Sequence, residues 1–468
     1  MAKDVTELIR NNPGLSVAEK IQIAARLSLP AMLAQLTTIA VEYIDASMVG
    51  SLGSAAPAAI GIVSSSIWLL DGVIFAMFNG FSVLIAQSVG ADDEKRSESI
   101  FLHGLIFNFL FSLLIAVIAV LTSGHLPYWL GAEEAIAGDA SRYFLITCAV
   151  LPITRCGYYC GAAIQATGNM KIPAILESTA CILDIIFNCF LIYPSGEKTI
   201  LGLHLNLPGA DLGVSGAAFG TALSEFVITI IMVYIAVRKT PYIRLHLRNK
   251  VKFHFPIIKQ AVKIAAPAAG QQIAISGAMV MTTRIIAPLG TVAVAANSFA
   301  ITAESICYMP GFGLQGAAAT LVGQSIGAQK NTQAKSFAWI TTFMGIIIMS
   351  LLGILMYFLC PYIFRFLTPD PAVQELGVQV LRIELFAEPF YGASIVAAGA
   401  LRGAGDTLVP SILSFASIWG VRVTLAFLLV GSYGLRGAWI AMAIELFVRG
   451  VLFLSRLKFG KWQKKLSG

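Results

Sequence analysis

Apolar positions along this chain gather in long runs, without the two-residue alternation of half-buried strands. Such runs recur from Leu27 to Leu454, and many approach the ~20 residues a helix needs to cross a ~30 Å hydrocarbon core. Within a bilayer every backbone polar group must be satisfied internally, which leaves helices or a closed barrel. Phe337 to Cys360 and Leu105 to Leu121 lack the alternation of barrel strands, so the pattern predicts helices. Punctuated by Gly, Pro and charge, the runs give twelve spans near 27–48, 57–86, 100–121, 142–164, 172–193, 214–237, 260–285, 292–322, 337–360, 376–400, 409–431 and 435–455. The expected fold class is an all-α membrane protein.

Charge then orients the spans. With the N-terminus inside, the segments on that side hold 22 Lys/Arg, against three on the other: Lys198, Arg365 and, at a helix edge, Arg436. The positive-inside rule places both termini in the cytoplasm. The basic stretch from Arg238 to Lys259 divides the chain nearly in half. The expected organisation is an arm over 1–26, an N-lobe over 27–237, a linker over 238–259, a C-lobe over 260–455 and a tail over 456–468.

Composition excludes a soluble protein. Of 468 residues 57% are hydrophobic and 12% charged, against roughly 45–50% and 25% in soluble domains. The formal charge of +7 follows from topology and attraction to anionic lipid, and implies no nucleic-acid partner. The seven cysteines lie in or beside apolar segments and read as small buried hydrophobes. Cys156 and Cys160 have no His or carboxylate within a helical turn, so no metal site is expected. The polar N-terminal arm, with Asp4, Glu7 and Glu19, is not the pattern of a cleavable signal peptide.

The halves repeat. An offset of 237 residues aligns Pro30 with Pro267, Leu52-Gly53 with Leu289-Gly290, and Gln87-Ser88 with Gln324-Ser325. It also aligns Gly90-Ala91 with Gly327-Ala328, Pro152 with Pro389, Gly168 with Gly405, and Pro173 with Pro410. The register changes between the fifth and sixth helices, where the first half is longer by 16 residues, since Gly213 and Gly216 match Gly434 and Gly437 at an offset of 221. Six helices per half make the repeats parallel, an arrangement suited to alternating access about a site between them.

The segments Ile44-Asp45-Ala46-Ser47-Met48-Val49-Gly50, Ala86-Gln87-Ser88-Val89-Gly90-Ala91, Met309-Pro310-Gly311-Phe312-Gly313, Leu321-Val322-Gly323-Gln324-Ser325 and Ala400-Leu401-Arg402-Gly403-Ala404-Gly405-Asp406-Thr407 resemble the multidrug and toxic compound extrusion (MATE) family. The resemblance runs from about Leu27 to Leu454 and implies two six-helix lobes in a V that extrude substrates in exchange for H⁺ or Na⁺. It also implies that Asp45, in the first helix, faces polar groups of the fifth. Here Asp184 precedes Asn188, the reverse of the order in many relatives, yet an i, i+4 pair still shares one face. The positions of the acids that some sodium-coupled relatives carry on helices 7 and 10 hold Ile275 and Tyr391, which directs attention to Glu304 in the eighth helix.

An ionised group at a helix centre costs roughly 2.5–3.5 kcal/mol on insertion scales, so intramembrane charges ask for a reason. The coupling candidates are Asp45, Asp184, Asn188, Glu42, Asp71 and Glu304, with Arg284 or Arg422 as counter-ions for Glu304. Glu177, Glu225, Arg155, Arg382, Glu384, Glu388 and Glu445 read as ion pairs or interfacial anchors. Trp68, Phe75, Phe78, Tyr158, Tyr308, Phe312 and Tyr391 are candidates to line a cavity for organic cations. The expected protein is a monomeric antiporter of the bacterial inner membrane, with H⁺ or Na⁺ as coupling ion, no other cofactor and no enzymatic activity. The chain carries no HExxH, GxSxG or Walker A sequence and no selectivity-filter motif, which argues against a membrane enzyme or a channel. A flippase or exporter of an endogenous lipid-linked or metabolite substrate is the alternative within transport.

Overall fold

A computed structural model describes residues 2–11, 15–53, 55–200, 203–246 and 254–462. A short amphipathic helix, α1 (Ala2–Asn11), precedes the N-lobe helices α2 (Val17–Gly50), α3 (Ala55–Gly90), α4 (Glu94–Thr122), the single turn α5 (Leu126–Trp129), α6 (Glu134–Ala166), α7 (Lys171–Leu191) and α8 (Gly213–Arg238). An antiparallel hairpin, β1 (Pro194–Ile200) and β2 (Leu203–Ala210), joins α7 to α8. The C-lobe comprises α9 (Phe255–Ile286), α10 (Thr291–Gly327), α11 (Asn331–Leu367), α12 (Pro371–Glu384), α13 (Glu388–Gly403), α14 (Leu408–Ser417), α15 (Thr424–Tyr433) and α16 (Leu435–Phe459). Among the described residues eleven helical segments are long and apolar enough to cross a membrane, and the broken pair α12 and α13 supplies the twelfth crossing.

Each lobe closes around its own apolar core. Phe81, Phe101, Phe144 and Tyr159 anchor the N-lobe, and Phe364, Val380, Leu381 and Trp439 the C-lobe. The lobes meet where α2 packs along α10 and α3 along α9. At the end carrying Gly90 and Gly327 the backbones of α3 and α10 touch. At the opposite end Leu52, Gly53 and Gly290 are exposed. The space between the lobes is therefore shut at one end and opens towards the other.

Four features depart from the sequence expectation. The tenth span, expected as one helix over 376–400, breaks at Leu385–Ala387 between α12 and α13. Pro389 sits in the first turn of α13, where its missing N–H costs nothing, whereas inside a continuous helix it would clash with the preceding turn. Its repeat mate Pro152 lies inside the continuous helix α6, so the repeat diverges here. The eleventh span is interrupted by a π-helical stretch over Ile418–Val423. The first helix begins well before Leu27, because Ser16 and Glu19 form a reciprocal cap: the Glu19 N–H donates to Ser16 Oγ at 3.2 Å and the Ser16 N–H to Glu19 Oε2 at 2.7 Å. Helix α6 likewise begins early, and Arg142 inside it adds a fourth cation to the minority side without reversing the bias. The extra residues between the fifth and sixth helices form the hairpin. Of the linker, 247–253 lies outside the described residues, as does the tail from 463 onward.

Candidate functional site between the lobes

A cavity of about 1040 Å³ lies between the lobes. All seven aromatic candidates, Trp68, Phe75, Phe78, Tyr158, Tyr308, Phe312 and Tyr391, border it. On the C-lobe side Tyr308 packs at 5.6 Å from Tyr391 and at 5.9 Å from Phe312, ring centre to ring centre. Such rings present faces to a cation and flat apolar area to any planar molecule.

The N-lobe wall is acidic. Glu42, Asp45, Glu177, Asp184 and Glu225 border the cavity. Asp45, on α2, accepts from the Asn188 side-chain amide of α7 at 3.1 Å. The Asp184 carboxyl, one turn before Asn188, lies beside the Asp45 carboxyl and near Thr221 of α8, and its buried Oδ1 has no hydrogen-bond partner among the described residues. Two carboxyl groups side by side repel when both are ionised, which favours one proton shared between them. Gly220 of α8 makes the cluster possible, because a Cβ there would collide with Asn188 Oδ1. No sequence signal had marked Gly220 or Thr221. Glu42 lies one turn from Asp45 on α2 and is exposed to the cavity.

Asp71 takes a different place. It does not border the cavity but pairs with Arg155 of α6, its Oδ1 3.1 Å from Nε. The Arg155 guanidinium also stands over the Tyr158 ring at 4.7 Å. Tyr158 in turn donates to Glu225 at 3.2 Å. Asp71 is thus the structural end of a chain whose other end, the half-buried Glu225, reaches the cavity.

The C-lobe wall combines acids with bases. Glu304 of α10 is buried and borders the cavity together with Arg402, Arg422 and Arg449. Arg422 lies in the π-helical stretch and donates through Nε and Nη2 to Glu445 at 3.1 and 2.7 Å. Arg449 approaches the other Glu445 oxygen at 3.1 Å, and Ser417 donates to that oxygen at 2.9 Å. The direct partner of Arg422 is therefore Glu445, with Glu304 at longer range, and neither hydrogen-bonds nor ion pairs link Arg284 to Glu304 among the described residues. Glu384 and Glu388 flank the helix break, are fully buried, and have no hydrogen-bond partner on any carboxyl oxygen among the described residues. Ile275 and Tyr391 both border the cavity. Among the described residues no three His, Cys, Asp or Glu side chains are grouped to hold a metal, and the cysteines are free thiols.

Two repeat-related helical lobes around a cavity lined by carboxylates and aromatic rings define a multi-pass membrane transporter, not an enzyme. The MatE family model matches the chain twice, over residues 30–190 and 267–428, and the chain belongs to that family. The two matches begin 237 residues apart, the offset of the internal repeat. Relatives include a probable multidrug resistance protein NorM of Thermotoga maritima, 25% identical over 94% of this chain and 92% of its own length. An uncharacterized transporter, YisQ of Bacillus subtilis, is 22% identical over 90% of each chain. Among solved structures, an outward-facing multidrug resistance MATE family transporter aligns with a TM-score of 0.87 at 20% identity, covering 98% of this chain and 99% of that one. The MATE transporter VcmN of Vibrio cholerae aligns at 0.86 and 17% identity, covering 96% and 99%.

Proposed function

We propose that this MATE-family transporter is an antiporter that exports organic cations across the bacterial inner membrane, driven by an inward H⁺ or Na⁺ gradient, by alternating access between its lobes. The observation that carries the reading is the Asp45, Asp184 and Asn188 cluster at the edge of an aromatic cavity. A carboxyl that is protonated in one state and bound to a cation in another makes proton and cation compete for one site, which is exchange in thermodynamic terms. The drive suffices: roughly 2.3 kcal/mol per charge per 100 mV and about 1.4 kcal/mol per pH unit sustain an outward gradient of order 10²–10³. The N-lobe coupling group is Asp45 with Asp184 and Asn188, supported at one turn's distance by Glu42. Asp71 acts through Arg155, and Glu304 is the C-lobe acid that meets substrate. The acidic wall also weighs against a flippase for pyrophosphate-linked lipids, whose headgroups a row of carboxylates repels.

Counterflow in proteoliposomes tests this directly. Uptake of one aromatic organic cation into vesicles with an imposed ΔpH or ΔNa⁺ should follow one gradient and collapse with it, and gradient-independent uptake would sink the antiport reading. The Lys/Arg bias supports cytoplasmic termini; reporter fusions at Lys250 and Gly468, both outside the described residues, should read cytoplasmic, and a periplasmic signal at either overturns that orientation.

A further inference from the structure

We propose that Gln87 and Gln324 form a reciprocal lock that holds the cavity shut at one end, and that α1 fastens it. The proposal rests on the alternating-access reading. Gln87 of the N-lobe donates from Nε2 to the carbonyl of Gly403 at 3.1 Å. Gln324 of the C-lobe donates from Nε2 to the carbonyl of Ala166 at 2.9 Å. Both pairs obey the 237-residue repeat: Gln87 matches Gln324, and Ala166 matches Gly403. Each lobe therefore reaches across the interface with the same residue to the same place on the other.

The acceptors have a particular chemistry. Ala166 ends α6 and Gly403 ends α13, so each carbonyl belongs to the last turn of a helix, whose oxygens have no intrahelical partner. Across the shut interface the glutamine amide satisfies them; when the lobes separate at this end, water does. The hydrogen bond is thus present in one state and exchanged for water in the other, which is what biases a two-state equilibrium. The same repeat makes room for the bonds. A Cβ at Gly90 would strike the carbonyl oxygen of Gln324, and one at Gly327 that of Gln87, so the helices approach this closely only because both positions are glycine. Simple packing would not require the donors, the acceptors and the two glycines all to fall on one symmetry operation.

Helix α1 lies across this end and touches both lobes. Thr6 donates to Gln324 Oε1 at 3.4 Å, and the Lys330 ammonium donates to the Ile9 and Arg10 carbonyls at 2.9 and 2.5 Å, tying the arm to the C-lobe. Arg10 ties it to the N-lobe, at 2.6 Å from Asp92 and 3.0 Å from Tyr242, while Tyr242 donates to Asp92 at 2.8 Å. Burial raises the Tyr242 hydroxyl above its ordinary value, with its hydrogen bond to Arg10 opposing, so it serves there as a neutral donor. Opening this end requires these ties to break on one side of α1.

The test uses the full-length protein in lipid nanodiscs with nitroxide pairs at Glu94→Cys and Asn331→Cys on the shut end, and at Leu52→Cys and Thr291→Cys on the other, the native cysteines being replaced. Pulsed-dipolar distances give the ratio of shut to open molecules at each end. Gln87→Leu and Gln324→Leu should each shift that ratio about five-fold towards open at the Glu94/Asn331 end, the shift that a neutral hydrogen bond of ~1 kcal/mol supports. The double variant should shift it further, and Lys330→Met should shift it in the same direction. Gly327→Ala should nearly abolish the shut population, with the Leu52/Thr291 distance shortening in step. Two populations in the parent that neither glutamine variant shifts by two-fold overturn the lock. A single distance in the parent at both ends, unaltered by pH, Na⁺ or an organic cation, counts against alternating access; in that event an unchanged distance in Gly327→Ala also overturns the lock, and a widened one supports it.

Discussion

The Asn188 amide donates to Asp45 Oδ1 at 3.1 Å, joining the fifth membrane helix to the first at the edge of the cavity. An amide donor favours the ionised form of the carboxylate it meets, and two carboxyls side by side tend to share one proton between them. The Asp45 and Asp184 pair can thus hold one proton or release it for a cation. That is the local requirement for a residue that must change state once per cycle.

Asp45→Asn keeps shape and polarity but can neither release a proton nor attract a cation. The variant should insert and fold, and should lose gradient-driven export of an organic cation by at least about tenfold, the measure of one charge-assisted interaction of ~1.4 kcal/mol or more. Asp45→Glu should retain part of the activity. Asp184→Asn should change the pH profile of transport, since the shared proton loses one of its two carboxyls. Parental efflux with an unaltered pH profile in Asp45→Asn would move the coupling group elsewhere.

Gly220→Ala tests the same cluster without touching a titratable group. The added methyl meets Asn188 Oδ1, so the amide must swing or α8 must retreat, and the bond to Asp45 weakens either way. Driven transport should fall about three- to tenfold while expression and thermal stability in detergent change little. Gly220→Ala in an Asn188→Ala background should add little further loss, because the two act through one contact; additive losses would show that Gly220 acts through helix packing instead.

Much of this architecture was legible in the sequence because membrane crossing forces a crude signal: long apolar runs, one charge bias and a repeat of constant offset. The i, i+4 spacing puts Asp184 and Asn188 on one helix face, and the family resemblance implies that Asp45 faces them. What could not be read were relations set by tertiary packing. Asp71 stands among the coupling candidates in the sequence, but its partner Arg155 lies 84 residues away and only packing brings the two together. The break before Pro389 has no signature in the repeat, because Pro152, its repeat mate, sits in an unbroken helix. The burial of Glu384 and Glu388 followed from that break. Ser16 and Glu19 form a capping box that the expected start at Leu27 passes over, and it extends the first helix well into the polar arm.

Glu445 is an electrostatic keystone of the C-lobe, facing two arginines and a serine from a fully buried position. Removing one partner from a buried pair costs about 3–5 kcal/mol. Because Arg422 and Arg449 border the cavity, the lower end of that range applies. Glu445→Ala should therefore lower the melting temperature in detergent by several degrees, and Glu445→Gln by less, since its carbonyl still accepts one hydrogen bond. Replacing Arg422 as well, as Glu445→Leu with Arg422→Met, should recover part of the loss. An unchanged melting temperature in Glu445→Ala would mean that the arginines find water in the cavity at no cost.

Glu304 separates attraction of substrate from coupling. It stands on the cavity wall with Arg402, Arg422 and Arg449, and two of those arginines already share Glu445. Glu304 thus offsets positive charge that an arriving cation would otherwise meet. Glu304→Gln keeps the shape and removes that offset. For a cation about 8 Å away, at an effective dielectric of roughly 20–40, one charge is worth about 1–2 kcal/mol, so the apparent KM for an organic cation should rise roughly five- to thirtyfold. The maximal rate and its pH profile should stay close to parental, because Asp45 and Asp184 are untouched. A neutral aromatic substrate of similar size, if carried, should show no such rise in KM, which distinguishes lost attraction from a collapsed pocket. If instead Glu304→Gln flattens the pH profile while KM holds, the proton that drives transport resides in the C-lobe, and Glu384 and Glu388, buried on the adjacent α12 and α13 without partners among the described residues, become the next groups to replace.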